Sequence, residues 1–163
     1  MPSYPPQRPS TSIVRADLDN PAHQAAIVEL VDAYARDPMG RGRPLPPAVR
    51  ANLIPGLRQA PAVFVLLAYR EGSAAAIATC VIGFSTFAAR PVLNIHDLAV
   101  LPAYRGTGLG RLLLEAAEQA AHDLGCCKLT LEVREDNVRA QGLYRRFGFA
   151  PGAPPMWFWQ KLL

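Results

Sequence analysis

At 163 residues, half of them hydrophobic, the chain has the length of one domain and enough apolar side chains for a sizeable core. Its 17 basic and 13 acidic residues leave a net charge of only +4, scattered along the chain, which argues against a nucleic-acid-binding surface, and no apolar run approaches membrane-spanning length. Three cysteines, two of them adjacent, make no disulfide framework; with no basic-then-apolar leader, they point to a reduced, cytoplasmic setting.

Residues 1–12, with four prolines in the first ten positions, read as a disordered tail, and 13–163 as a single domain. A short strand is predicted at 13–15 and a helix at 22–36, where Ile27, Leu30, Val31 and Tyr34 fall at helical spacing. Glycine and proline interrupt 37–47 throughout and exclude regular structure there; a second helix is predicted over 47–59. Strands follow at 63–69 and 75–87, joined by a turn at Glu71-Gly72, and a third at 92–100.

The helix over 108–124 carries an apolar stripe of Leu109, Leu112, Leu113, Ala116, Ala117, Ala120 and Leu124, with Gly125 as its stop. In the strand predicted at 127–133, Cys127, Leu129, Leu131 and Val133 alternate with Lys128, Thr130 and Glu132. Asp136 or Asn137 caps a helix running to 147, and prolines at 151, 154 and 155 precede a last predicted strand at 156–162. The strand–helix–strand–helix order from 92 to 147 predicts a right-handed parallel crossover.

The most informative stretch is residues 96–111, HDLAVLPAYRGTGLGR, in which a strand runs into a glycine-rich turn and then a helix. Such a turn leaves several backbone N–H groups unpaired at the positive end of a helix and is suited to hold a phosphate or pyrophosphate. A Walker loop is excluded, because no lysine precedes Lys128. The dinucleotide fingerprint is excluded too, since Gly106-x-Gly108-x-Gly110 has its third glycine one place early.

The pattern Arg105-x-x-Gly108-x-Gly110 after Leu98-Ala99-Val100 resembles the acyl-CoA pyrophosphate loop of the GNAT superfamily of acyl-CoA-dependent N-acyltransferases. Residues 129–149 strengthen the resemblance, with Leu131-Glu132-Val133, Asn137, Ala140, Leu143-Tyr144 and the closing Phe147-Gly148-Phe149 in the family's order. The resemblance implies an α/β (α+β) fold with a mixed, mostly antiparallel central sheet, about four flanking helices and a parallel β-α-β unit at the cofactor site. It implies acetyl-CoA as co-substrate and no metal.

The same resemblance assigns the site. Backbone groups of Leu98, Ala99 and Val100 would pair with the pantetheine amides as an added strand does. The amides of Gly106, Thr107, Gly108, Leu109, Gly110 and Arg111 would take the pyrophosphate, with Arg105 or Arg111 adding charge. Asn137 is either a plain helix cap or also a ligand of the cofactor arm.

Acyl transfer to an amine requires deprotonation. An alkylammonium of pKa ~10.4 lies about three units from its reactive form at pH 7, or roughly 4 kcal/mol, so a general base is useful. Glu132 competes for that role with His96, whose imidazole is a natural proton acceptor and which alternation would put on the face of Leu98 and Val100. The bland reading pairs Glu132 with Arg134 and makes His96 a hydrogen-bonded core residue. Tyr144 is the candidate acid for the leaving thiolate, or else a core tyrosine flanked by Leu143 and Phe147.

The expected activity is N-acetyl transfer from acetyl-CoA to a primary amine of a small molecule or peptide. The competing expectation is a non-catalytic acyl-CoA sensor on the same fold. Arg41 and Arg43 would select an acidic acceptor or sit as solvated linker charges. The aromatic run at 156–159 would form core, line an acceptor pocket or serve as a homodimer interface.

Overall fold

The structure, a computed structural model, describes residues 10–163. The elements are β1 (Thr11–Arg15), α1 (Pro21–Arg36), α2 (Pro47–Arg58), β2 (Val63–Arg70), β3 (Ser73–Ser85), β4 (Arg90–Val100), a 3-10 turn (Pro102–Tyr104), α3 (Leu109–Asp123), β5 (Leu129–Leu131) and α4 (Val138–Phe147). Two compact units result: the first ends at Glu132 and holds the sheet with α1 to α3, and the second, 133–163, holds α4. Among the described residues no helix is long and apolar enough to cross a membrane.

The sheet has the order β1-β2-β3-β4-β5; β1 to β4 are antiparallel neighbours and β5 runs parallel to β4. This is the mixed, mostly antiparallel sheet with one parallel β-α-β unit that was expected. In β2 five consecutive residues, Phe64 to Ala68, are buried, as a central strand covered on both faces requires. On one face Ile27 and Leu30 of α1 and Ile54 of α2 pack on Val65, Leu67 and Ile77. Full burial of each such side chain stabilises the fold by about 2 kcal/mol.

The buried residues of α3 are Leu109, Gly110, Leu113, Leu114, Ala117 and Ala121. Leu112 and Leu124, assigned to the stripe from the sequence, are instead exposed at 36% and 38%, and Leu114 is fully buried. Three consecutive leucines make the helical phase ambiguous, and packing on the sheet selects the rotation.

β4 contains a β-bulge. Ile95 is in register with Cys80 and Asp97 with Thr79, so His96 is the extra residue. The alternation slips by one position. Ile95, not His96, continues onto the face of Leu98 and Val100, and His96 is exposed. The expected placement of His96 on that face is thereby corrected. Asn94, Asp97 and Ala99 share the opposite face with Val81, Thr79 and Ile77.

Other boundaries also move. β1 starts at Thr11, within the stretch read as a tail, and Thr11 and Ser12 pair with Arg70 and Tyr69; residues 1–9 of that tail lie outside the described residues. β5 is limited to three residues. The strand predicted at 156–162 does not form, and Met156, Trp157, Phe158 and Trp159 are exposed. An alternating aromatic run has high strand propensity, but a strand exists only where a neighbour supplies hydrogen bonds.

Residues 37–46 contain no helix or strand, yet their backbone is fastened to α1. The amides of Gly40 and Gly42 donate to the Asp37 carbonyl, and those of Arg41 and Arg43 to the Ala35 carbonyl. Buried Asp32 accepts from the Leu45 amide at 2.8 Å and from Arg36 and Arg50 at 2.9 Å each. The Arg36 hydrogen bond, then the Leu45 amide, hold the Asp32 carboxyl below its ordinary range.

Candidate active site

The glycine turn joins the end of β4 to the N-terminus of α3. Gly106 and Gly108 have φ of +80° and +90°, which L side chains rarely adopt. A Cβ at either position would meet nothing within 4 Å, so these glycines are needed for backbone direction, not for room inside the protein. Gly108 is the N-cap of α3 without a side-chain cap, and the first turn holds no carboxylate. Its N–H groups, unpaired within the helix by geometry, are left to an external acceptor. This donor set fits a pyrophosphate.

The arginines are distributed differently from expectation. Arg105 donates from Nε to the Val100 carbonyl at 3.1 Å, and its Nη2 pairs with Asp37 at the end of α1. Arg111 pairs with Glu115 at 2.8 Å. Both arginines proposed to add charge are thus engaged with carboxylates. Arg70, at the end of β2, lies with Nη1 3.5 Å from the Thr107 carbonyl, a weak contact that brings a cation beside the turn. Sequence reasoning missed it, because only the sheet topology puts the β2–β3 hairpin next to the end of β4.

β5 pairs with β4 only from Leu93 to Ile95, so among the described residues the edge of β4 over Leu98, Ala99 and Val100 faces no partner strand. Two candidates for the proton acceptor flank the point where pairing stops. His96 is the exposed bulge residue. Glu132 follows the end of β5 and accepts from the Asn94 amide at 3.1 Å (Oε1) and 3.3 Å (Oε2); the same Nδ2 lies 3.0 Å from Thr130 Oγ1. The expected alternative, Glu132 paired with Arg134, is not the observed arrangement, since Arg134 pairs with Asp136 at 2.7 Å. Burial pushes the Cys80 thiol up to about 12 and also raises Cys126, which disfavours the thiolate at both.

In the second unit, Asn137 caps α4: its Oδ1 accepts from the Ala140 amide at 3.1 Å. Gln141 reinforces the turn by donating to the carbonyls of Arg134 and Glu135. Tyr144 lies on α4 with its ring edge-on to Phe149 at a centroid distance of 6.0 Å, and Phe149 stacks on Phe147. Gly148 ends the helix.

A mixed sheet with a bulged fourth strand, an uncapped glycine turn into a helix and a fork between two parallel strands defines an acyltransferase-like α/β fold. The model of the acetyltransferase (GNAT) family matches residues 27–149. The chain belongs to the GNAT acetyltransferase family.

Among curated proteins it is 43% identical over 59 residues to a putative [ribosomal protein bS18]-alanine N-acetyltransferase of Bacillus subtilis, covering 36% of this chain and 39% of that protein. It is 45% identical over 58 residues to a streptothricin acetyltransferase of Streptomyces lavendulae, covering 36% of this chain and 31% of the relative. The match thus spans less than half the length of these relatives. A solved structure of aminoglycoside N-acetyltransferase AAC(6')-Iy in complex with CoA shares the fold, with a TM-score of 0.76, 17% identity, and coverage of 98% of this chain and 100% of the other.

Proposed function

We propose that the protein transfers an acetyl group from acetyl-CoA to a primary amine of a small molecule or peptide, by direct attack without an acyl-enzyme. The observation that carries this reading is the uncapped, carboxylate-free N-terminus of α3 behind two positive-φ glycines, next to a strand edge with no partner among the described residues. The turn's amides from Gly106 to Arg111 would hold the pyrophosphate, and the edge of β4 over Leu98 to Val100 would carry the pantetheine arm. Asn137 would add a contact to that arm. Acetyl-CoA supplies an activated thioester.

Glu132 is the preferred base, because its carboxylate stands at the fork with no ion-pair partner among the described residues; His96 is the alternative. The base takes a proton from the ammonium, and the freed lone pair forms the new bond to the thioester carbon. As the carbon–sulfur bond breaks, its electron pair goes to sulfur, which takes the phenolic proton of Tyr144. Of the two protons left on nitrogen, one leaves to solvent and the other stays as the amide N–H; the base releases its proton to solvent, from which Tyr144 is reprotonated.

The test is thiol release from acetyl-CoA across polyamines, amino acids, amino sugars, aminoglycosides and short peptides, with an enzyme-only blank for the protein's own three thiols. Turnover with one amine class, lowered tenfold to hundredfold by Tyr144→Phe, supports the reading, since general acid help is worth on the order of a hundredfold or more and a thiolate of pKa ~8.5 needs less than most leaving groups. Binding of acetyl-CoA with no turnover for any amine transfers support to a non-catalytic sensor.

A further inference from the structure

Glu132, like Asp123 beside Gln119, is held by a neutral side-chain amide. The carboxylates of Asp32, Asp37, Glu115 and Asp136 are each gripped by an arginine. Glu132 has no ion-pair partner among the described residues, and its holder is the neutral amide of Asn94. Asn94 stands in register with Thr130, and its Nδ2 reaches both that hydroxyl and the carboxylate two residues further on. The ladder ends at Leu131, so the amide fixes a side chain whose own backbone lies beyond the paired strand. An arginine there would neutralise the carboxylate and weaken it as a proton acceptor; an amide orients it while leaving its charge available.

We propose that Asn94 is a positioning residue for proton transfer: it clamps Glu132 at the fork between β4 and β5 in the orientation that receives the proton of the acceptor amine. This rests on the reading of Glu132 as the base. The titratable groups nearest in the strands are His96 and Asp97 on β4 and Lys128 on β5, while β3 presents Thr79 and Val81, neither of which titrates at ordinary pH.

The experiment is the pH profile of kcat/KM for thiol release from acetyl-CoA with the fastest amine of the panel, for wild type, Asn94→Ala, Asn94→Asp and Glu132→Gln, with thermal melting as the folding control. Asn94→Ala is expected to lower kcat tenfold to hundredfold with KM for acetyl-CoA changed less than twofold, because misorientation of a reacting group carries that order of loss. Asn94→Asp keeps the size of the side chain and sets two carboxylates side by side; the acidic limb is expected to move up by about one pH unit or more. A purely structural Asn94 would lower the melting temperature on change to Ala while leaving kcat within twofold of wild type, which would overturn the positioning role. If Glu132→Gln removes the limb and Asn94→Asp leaves it in place, the role of Asn94 is overturned while the base reading stands. If Glu132→Gln also leaves it in place, the base reading falls and the positioning role with it.

Discussion

Asp37, which ends α1, holds the guanidinium of Arg105, a residue 68 positions later that opens the glycine turn. The pair ties the irregular 37–46 segment to the turn, since the same aspartate accepts from the Met39 amide at 2.8 Å and its carbonyl accepts from Gly40 and Gly42. Replacing Asp37 by Asn keeps the shape and removes the charge. The expected cost is about 1 kcal/mol, at the upper end for a partly exposed pair, which is a fall of roughly 2–4 °C in Tm for a chain of this size. Calorimetry of Asp37→Asn and Arg105→Gln, singly and together, checks it; a coupled pair gives a double variant little worse than either single one.

Gly108→Ala tests the turn in isolation. A Cβ has open space there, so the substitution should leave the core intact, but a φ of +90° costs an L residue on the order of 1–2 kcal/mol. Relaxation of that strain reorients the first amides of α3. Acetyl-CoA affinity is expected to fall at least tenfold by titration calorimetry, with far-UV circular dichroism unchanged; unchanged affinity would mean the anion sits elsewhere.

Acid should destabilise the fold below about pH 4. Asp32, Asp37 and Asp136 all have carboxyl pKa values lowered from 3.8, in each case first by a hydrogen bond from an arginine. The unfolded chain therefore binds protons before the folded one, and the contribution of these groups is complete above 3.8 and lost as pH falls through the lower folded values. In the alkaline range the sign reverses for Cys80. Its thiol is raised from 9.0 to about 12, so its share of stability is whole below 9 and lost as pH climbs toward 12. Melting temperatures from pH 2.5 to 10.5 check both limbs, and Cys80→Ala should flatten the alkaline one.

Local signals made much of this legible from the sequence. The turn at 105–110 was readable because two positive-φ positions and a helix start lie within six residues. α1 and α3 were readable from spacing, and Asn137 as a cap from its place before α4. Pairings across long separations were not, which is why the partnership of Arg105 with Asp37, 68 positions earlier, had no signal in the sequence. The bulge did leave a trace: apolar residues occupy odd positions at Leu93 and Ile95, then even ones at Leu98 and Val100. The neighbouring Ala99 and Leu101, apolar as well, blurred that slip. The run at 156–159 misled because propensity alone cannot supply a neighbouring strand.

That slip gives position 96 a role separable from the chemistry of its imidazole. It is a spacer: any side chain there preserves the strand's phase, whereas deleting the residue turns the rest of β4 over like a ribbon. Ala99 and Leu101, which pack against the α1–α2 core, would then exchange sides with Leu98 and Val100. Along this strand the count of residues therefore sets which side chains face the core, and a change of length at the fork would redirect all of those beyond it at once.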